Sequence, residues 1–364
     1  MLYNWQQKKW PVLTYQPSEI EEVSRGFDIQ VERVKAVLAS FDVTTEAGKS
    51  LEAMVAEAVS TSAIEGEVLN PQDVMSSMKN RLGKNAKPIS IRDYRASGVA
   101  ALLLSVRQAF AEPLTETMLR DWHQKLFDGY PARESPEIIG GYRQDAIFVK
   151  AADLDEPSIR FEAPPSRVVR KEMTRFLKWY NESGLTGMAS VVRAAIAHLY
   201  FESIHPFCDG NGRLGRALVS KIVAQHSRTF IMIPFSVGLF EHRKAYYEAL
   251  HQASFTLDVT QWIQTFAGLL TSSMQNYEAE LRFQIRVLCL LSNVKPQLNE
   301  RQLKVFERMT REGSRGFVGG MSASKYQNIA QTSKATATRD LAEMVNLGVL
   351  VRMGDGAGVR YQIA

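Results

Sequence analysis

The chain reads as a mainly α protein with one small β-hairpin and a separate C-terminal module, and three observations predict this. Helical periodicity recurs over most of the 364 residues. It breaks once, at 140–165, where Gly, Asp and Pro surround two short strand-like runs. After Pro296 the pattern becomes helix, helix, helix, hairpin.

Each element has its own signal. In 43–64, "VTTEAGKSLEAMVAEAVSTSAI", Leu51, Met54, Val55, Ala58, Val59 and Ser62 share one helical face, and Gly66 can end the helix. Residues 91–111 and 114–128 repeat the pattern on either side of Pro113, a breaker. In "GGYRQDAIFVKAADLDEPSIRFEAPP" (140–165) the runs "AIFV" and "SIRF" form the expected hairpin. Helices return at 166–182 and 189–204. A glycine-rich loop follows, then a helix from about Arg213 to 226, and further helices at 241–255 and 258–290. Three domains result: an N-terminal helical extension (1–90), a core (91–290) and a terminal domain (297–364).

Composition sets bounds. Apolar residues make up 45% and charged residues 23%, which is globular usage with ample core. The 44 basic and 39 acidic residues leave a formal charge of +5 without a long Lys/Arg run, so nucleic acid is permitted but not called for. Cys208 and Cys289 lack metal or redox spacing, which suits a reducing cytosol. The start, "MLYNWQQKKWPVL", has no apolar signal core, and no run of about 18 apolar residues occurs. The expectation is a soluble cytoplasmic protein that avoids membranes.

The chemistry concentrates in "HPFCDGNGRLGR", 205–216. "GNGRLG" fits the dinucleotide G-x-G-x-x-G spacing, but a helix-like segment precedes it where that motif needs a strand. No Walker phosphate loop is present. The residues still suit a polyphosphate. Gly210 and Gly212 free backbone N–H groups to turn towards one anion, and the loop opens into a helix N-terminus. Arg213 and Arg216 lie three apart on one helical face and can grip the same phosphates. Asp209 offers a hard oxygen suited to Mg²⁺. His205, before the rigid Pro206, is a candidate general base.

This stretch resembles the signature of the Fic family, H-P-F-x-[DE]-G-N-G-R-x-x-R, and matches every fixed position. The resemblance implies a Fic helical core and AMPylation, the transfer of AMP from ATP to a Ser, Thr or Tyr hydroxyl of a protein, self-modification at a residue such as Tyr3 included. It implies that His205 deprotonates the hydroxyl and that Asp209 holds Mg²⁺ at the α- and β-phosphates. Gly210, Asn211, Gly212, Arg213, Leu214, Gly215 and Arg216 form the phosphate site, while Phe207 packs inward and Cys208 fills the variable position. "TSAIEG" (61–66) resembles the family's inhibitory helix end, [ST]-x-x-x-E-[GN], through Thr61, Glu65 and Gly66. By that likeness Glu65 pairs with Arg216 and misplaces the γ-phosphate, and in some members the glutamate also orients a water for AMP removal.

The 140–165 hairpin resembles the family's flap, with Ile147, Phe148 and Val149 as contacts that align the target hydroxyl. "RKAYYEALHQAS" (243–254) resembles the adenine-side helix, with Tyr246 or Tyr247 on the base and Ser254 near its edge. The 297–364 pattern resembles a winged helix, in which Ser333, Lys334, Thr336 and Arg339 would face a DNA groove. The alternative is therefore a DNA-binding regulator with a nucleotide-sensing Fic core. A docking or homodimer role for the tail and a different nucleotide donor are further options.

Overall fold

The computed structural model describes residues 1–85, 87–150 and 159–364. They fall into two compact units, Met1–Gln275 and Asn276–Ala364.

In the first unit an N-terminal arm leads to α1 (Pro17–Leu38), α2 (Val43–Ile64) and α3 (Pro71–Arg81). The core follows with α4 (Tyr94–Gln108), α5 (Glu116–Leu126), the strands β1 (Phe148–Lys150) and β2 (Ile159–Glu162), α6 (Ser166–Ser183), α7 (Ser190–Ile204) and α8 (Asn211–Ser227). Then come α9 (Phe235–Glu241), α10 (Arg243–Ala253) and α11 (Thr260–Val294), whose residues divide between the two units.

Several helices start where short polar side chains take orphan amides. Asp42 accepts the N–H groups of Thr44 and Thr45 at 3.0 and 3.1 Å, and Thr115 accepts that of Met118 at 3.1 Å. The start of α3, with Asn70 as cap and Pro71 in its first turn, carries the same signal, although apolar periodicity alone left that helix undivided from the extension. α9 was also not separable by pattern, since seven residues span under two turns and Gly238 interrupts them.

α7 is the axis of the unit. Every residue but Glu202 is buried, so the helix is covered on every face and not amphipathic. It packs chiefly against α8, which is buried almost as completely. α2 is fixed from its middle: the buried Glu57 carboxylate accepts the N–H of Ser236 at 2.8 Å and its hydroxyl at 2.5 Å. Burial pushes the Glu57 pKa up and the two Ser236 bonds oppose that.

β1 and β2 pair antiparallel, Phe148 opposite Glu162 and Val149 opposite Phe161. The turn expected between them, 151–158, lies outside the described residues. The outer side of β2 meets the N-terminal arm: Trp5 Nε1 donates to the Glu162 carbonyl at 2.8 Å, and Tyr3 packs between Phe161 and Phe255.

The second unit holds α12 (Glu300–Thr310), α13 (Ala323–Ala330), α14 (Lys334–Asn346) and an antiparallel hairpin of β3 (Leu350–Met353) and β4 (Arg360–Ile363). Phe306, Met309, Tyr326, Leu341 and Met344 form its core. Buried Asp340 accepts the Tyr326 hydroxyl at 2.9 Å and Arg301 Nε at 3.0 Å. Ser333 and Thr336 are engaged with each other as the N-cap of α14, whereas Lys334 and Arg339 are exposed.

Candidate functional site

The loop between α7 and α8 is built to hold a shape. α7 ends at Ile204, and His205 takes the left-handed region, φ 50° and ψ 63°, a strained choice for a residue with a Cβ. Its carbonyl accepts Arg143 Nε at 2.7 Å. Phe207 is fully buried and stacks on His123, with ring centroids 4.2 Å apart. His123 Nδ1 accepts the Gly140 N–H at 2.9 Å, which leaves Nε2 to donate to the Asp209 carbonyl at 3.2 Å. Burial first, then Arg213, brings the His123 pKa down to about 4, so the ring works as a neutral bridge.

Asn211 closes the loop on itself. Its amide oxygen accepts the Phe207 N–H at 3.0 Å and its amide nitrogen donates to the Phe207 carbonyl at 2.8 Å. Asn211 thus shapes the loop through its backbone. Gly210 sits at φ 77° as the cap of α8, and a Cβ there would come within 2.9 Å of the Phe127 ring. α8 begins at Asn211, two residues earlier than the periodicity predicts, because this glycine makes the turn itself. The first-turn N–H groups of α8 therefore have no partner within the helix.

Two buried arginines stand behind that turn, and each meets an acid from the end of α2. Arg216 donates from Nε to the Thr61 hydroxyl at 2.7 Å. One of its terminal nitrogens reaches the Thr61 carbonyl at 2.9 Å and Glu65 Oε1 at 2.6 Å. Burial works against its charge, but the negative groups around it, Glu65 first, outweigh that and raise its pKa. Gly66 ends α2 at φ 85°, and Glu65 lies so close to α8 that a Cβ on Gly212 would come within 2.2 Å of its carboxylate. Thr61, Glu65, Gly66, Gly212 and Arg216 are thus brought together.

Arg213 has a counterpart that sequence reasoning missed. It donates to Glu67 Oε2 at 2.8 Å and to the Tyr130 hydroxyl at 3.4 Å, and it lies 5.3 Å above the Phe127 ring. The Tyr130 hydroxyl also donates to Glu67 Oε1 at 3.2 Å. The signal was available: Glu67 stands two residues beyond Glu65 in "TSAIEGE". Arg143, His123 and Glu202 were missed as well.

The His205 ring nitrogen Nδ1 lies 3.7 Å from Glu202 Oε2. Burial, then the Arg143 charge, lowers the His205 pKa to about 4. The imidazole is therefore neutral at physiological pH and free to accept a proton. Glu202 is pushed up to about 8 by burial and by Glu65, against the pull of Arg216.

Asp209 is the exposed acid at the mouth of the loop. It accepts the Gly210 N–H at 2.5 Å and lies 3.5 Å from Arg213. Among the described residues no group of three His, Cys, Asp or Glu side chains could hold a metal ion. A lone carboxylate could hold only an ion that draws its other oxygens from a ligand and water.

The remaining candidates separate. Leu214 is core, and Gly215 faces α7 so closely that a Cβ would come within 2.8 Å of Glu202 and His198. Tyr246 is buried, with its hydroxyl 2.6 Å from His198 Nε2 and its ring among Trp262 and Phe266. That leaves no face of it for a base to lie on. Tyr247 is half-buried and donates to the Ile64 carbonyl at 3.2 Å, at the end of α2. Ser254 is buried, donates to the His251 carbonyl and accepts the Asn4 N–H. On the hairpin Phe148 is exposed while Ile147 and Val149 are half-buried. Cys208 is a free, partly buried thiol.

Residues 3–84 match a domain of unknown function (DUF4172), and residues 113–223 match the Fic/DOC family. The chain is 27% identical over 153 residues to the protein adenylyltransferase fic-1 of Caenorhabditis briggsae, 42% of this chain and 29% of that one. It is 27% identical over 142 residues to a probable protein adenylyltransferase of Aquifex aeolicus (strain VF5), 39% of this chain and 38% of that one. The matched segment thus spans well under half of either relative. A Fic family protein from Desulfovibrio desulfuricans G20 superposes with a TM-score of 0.54 at 19% identity, covering 97% of this chain and 98% of that one. A Fic domain containing signaling protein from Bacteroides thetaiotaomicron VPI-5482 gives 0.54 at 21% identity over 71% of this chain and 97% of that one. These likenesses show a shared fold.

Proposed function

We propose that the chain, whose residues 113–223 match the Fic/DOC family, is a protein adenylyltransferase whose nucleotide seat is held shut by its own acidic side chains. One observation carries the reading: a neutral imidazole, an open helix N-terminus and two buried arginines converge on 205–216. Names of relatives as protein adenylyltransferases support it.

In the reaction His205 takes the proton of a Ser, Thr or Tyr hydroxyl. The oxygen attacks the α-phosphorus of ATP, the bond to the β-phosphate oxygen breaks, and pyrophosphate leaves while AMP stays on the side chain. Asp209 would hold Mg²⁺, which supplies charge neutralisation to the phosphates when bound. Arg213 and Arg216 take the outer phosphates, and the first-turn amides of α8 the inner ones. Positioning and charge do most of the work in such transfers. The exposed Phe148 offers the target a contact on the hairpin, and Tyr247 offers the adenine one.

In the resting state Glu65 occupies Arg216 and Glu67 occupies Arg213. A nucleotide must displace both carboxylates to recruit both arginines. We read residues 297–364 as a winged-helix docking module, on the support of its element order.

The reading is tested with α-labelled ATP. The Glu65→Gly chain is expected to label protein hydroxyls. Adding His205→Ala should abolish labelling while ATP still binds. Labelling that survives the loss of His205 overturns the assignment.

A further inference from the structure

We propose that Arg143 is a positioning residue for the transfer, one guanidinium that ties both ends of the β1–β2 hairpin to the backbone carrying the base. The inference rests on the adenylyltransferase reading and adds to it a device that couples the acceptor's support to His205.

Arg143 stands five residues before β1 and is 2% exposed. Its Nε donates to the His205 carbonyl at 2.7 Å, and one terminal nitrogen donates to the Asp145 carbonyl at 2.8 Å. The other donates to the Pro164 carbonyl at 2.5 Å and the Ile204 carbonyl at 3.3 Å. Its own N–H reaches the Pro206 carbonyl at 2.9 Å. Asp145 leads into β1 and Pro164 follows β2 by two residues, so the guanidinium holds the hairpin at both roots. Ile204, His205 and Pro206 are the end of α7 and the turn that presents the imidazole.

Every one of these acceptors is a backbone carbonyl. A buried cation with only neutral acceptors is costly, since burial disfavours its charge. A fork of fixed geometry is what joins four carbonyls from three chain segments; a lysine ammonium is a point donor on a flexible stem and cannot span them. The left-handed turn at His205 makes the same point. A strained residue persists where its surroundings over-determine it, and here the bond to Arg143 does so on the carbonyl side.

The consequence is geometric. An acceptor aligned along the hairpin and a base held by the α7 turn keep their spacing only if both are referred to one fixed point. A displacement of about 1 Å between reacting groups can cost about 100-fold in rate. The charge adds a second effect, because it helps to keep His205 unprotonated alongside burial. The Glu202 backbone on α7 and the charges of Glu65 at the end of α2 and Asp209 on the loop act on the ring in the opposite sense.

Two substitutions separate fork from charge. In the full-length Glu65→Gly chain, Arg143→Lys keeps the charge and Arg143→Gln removes it. Hydrogen–deuterium exchange of residues 145–149 and 161–164, ring titration of His205 by NMR, and ATP affinity are read on each. Both variants should exchange faster at the hairpin roots while ATP affinity stays at the parent value. Only Arg143→Gln should move the His205 titration upward. Transfer of label from α-labelled ATP should fall about 100-fold in Arg143→Lys. A merely structural residue would not split the titration between the two variants. Parent-like exchange in Arg143→Lys overturns the proposal. If the parent transfers no label, the adenylyltransferase reading falls, and exchange and titration still decide whether Arg143 couples hairpin and base.

Discussion

Arg213 and Arg216 sit one turn apart on α8, are equally buried, and each faces a carboxylate from the end of α2, yet they are held in different ways. Arg216 is seated by Thr61, through hydroxyl and backbone carbonyl, and then covered by Glu65. Arg213 is held by side chains alone: Glu67, Tyr130 and, at 3.5 Å, Asp209. The difference separates orientation from occupation. Removing Glu65 uncovers an arginine that Thr61 still points, whereas removing Glu67 uncovers one whose remaining partners are a phenol and a loop acid.

The largest effect should come from Glu65. Desolvated pairs cost roughly 2 kcal/mol or more when one partner is lost, which converts to about a 30-fold change in binding. Glu65→Gly should therefore raise ATP affinity by about 30-fold, measured by calorimetry, with a parallel rise in labelling. Glu67→Gln keeps a neutral partner for Arg213 and should raise affinity by only about fivefold, in keeping with a net value near 1 kcal/mol for an ordinary hydrogen bond. Equal effects of the two changes would erase the distinction between the arginines.

Thr61 sharpens the same contrast with an opposite sign. In the Glu65→Gly chain, Thr61→Val should lower labelling about 10-fold, because a hydrogen bond to a charged group is worth about 1.5 kcal/mol. Thr61 would then be a support and Glu65 a cover, although both touch one guanidinium. A rise in labelling would make Thr61 part of the cover.

The legibility of these parts in the sequence follows from how local they are. The loop could be read because its glycines, proline and charges stand at fixed spacing in one stretch, even though His123 and Arg143 help to hold its turn. Thr61 and Glu65 could be read because they share a helix end with Gly66. Arg143 could not, since its acceptors are carbonyls and carbonyls carry no residue identity. Glu202 was hidden differently: it is the one residue of α7 that is not fully buried, a contrast that appears only when α7 is seen to be central. Tyr246 shows the reverse failure. An aromatic pair at helical spacing looks the same from either face, and the fold turns one ring into the core against His198 and leaves the other beside α2.

Tyr130 gives the finest discrimination. Its hydroxyl donates to Glu67 and accepts from Arg213 at 3.4 Å, so it bridges the pair instead of competing with it. Its ring is independently fixed, edge-on to Tyr94 and Phe127, and Tyr130→Phe should leave the packing in place. The loss would fall on one long and one ordinary hydrogen bond, at about 0.5 kcal/mol for the weaker partner. That predicts about a twofold gain in ATP affinity, additive with Glu65→Gly and lost in the Glu67→Gln chain. Arg213 and Arg216 would then be released by separate keys. Coupling of Tyr130→Phe to Glu65→Gly instead would mean that the end of α2 leaves as one rigid piece, and that the two arginines are never freed apart.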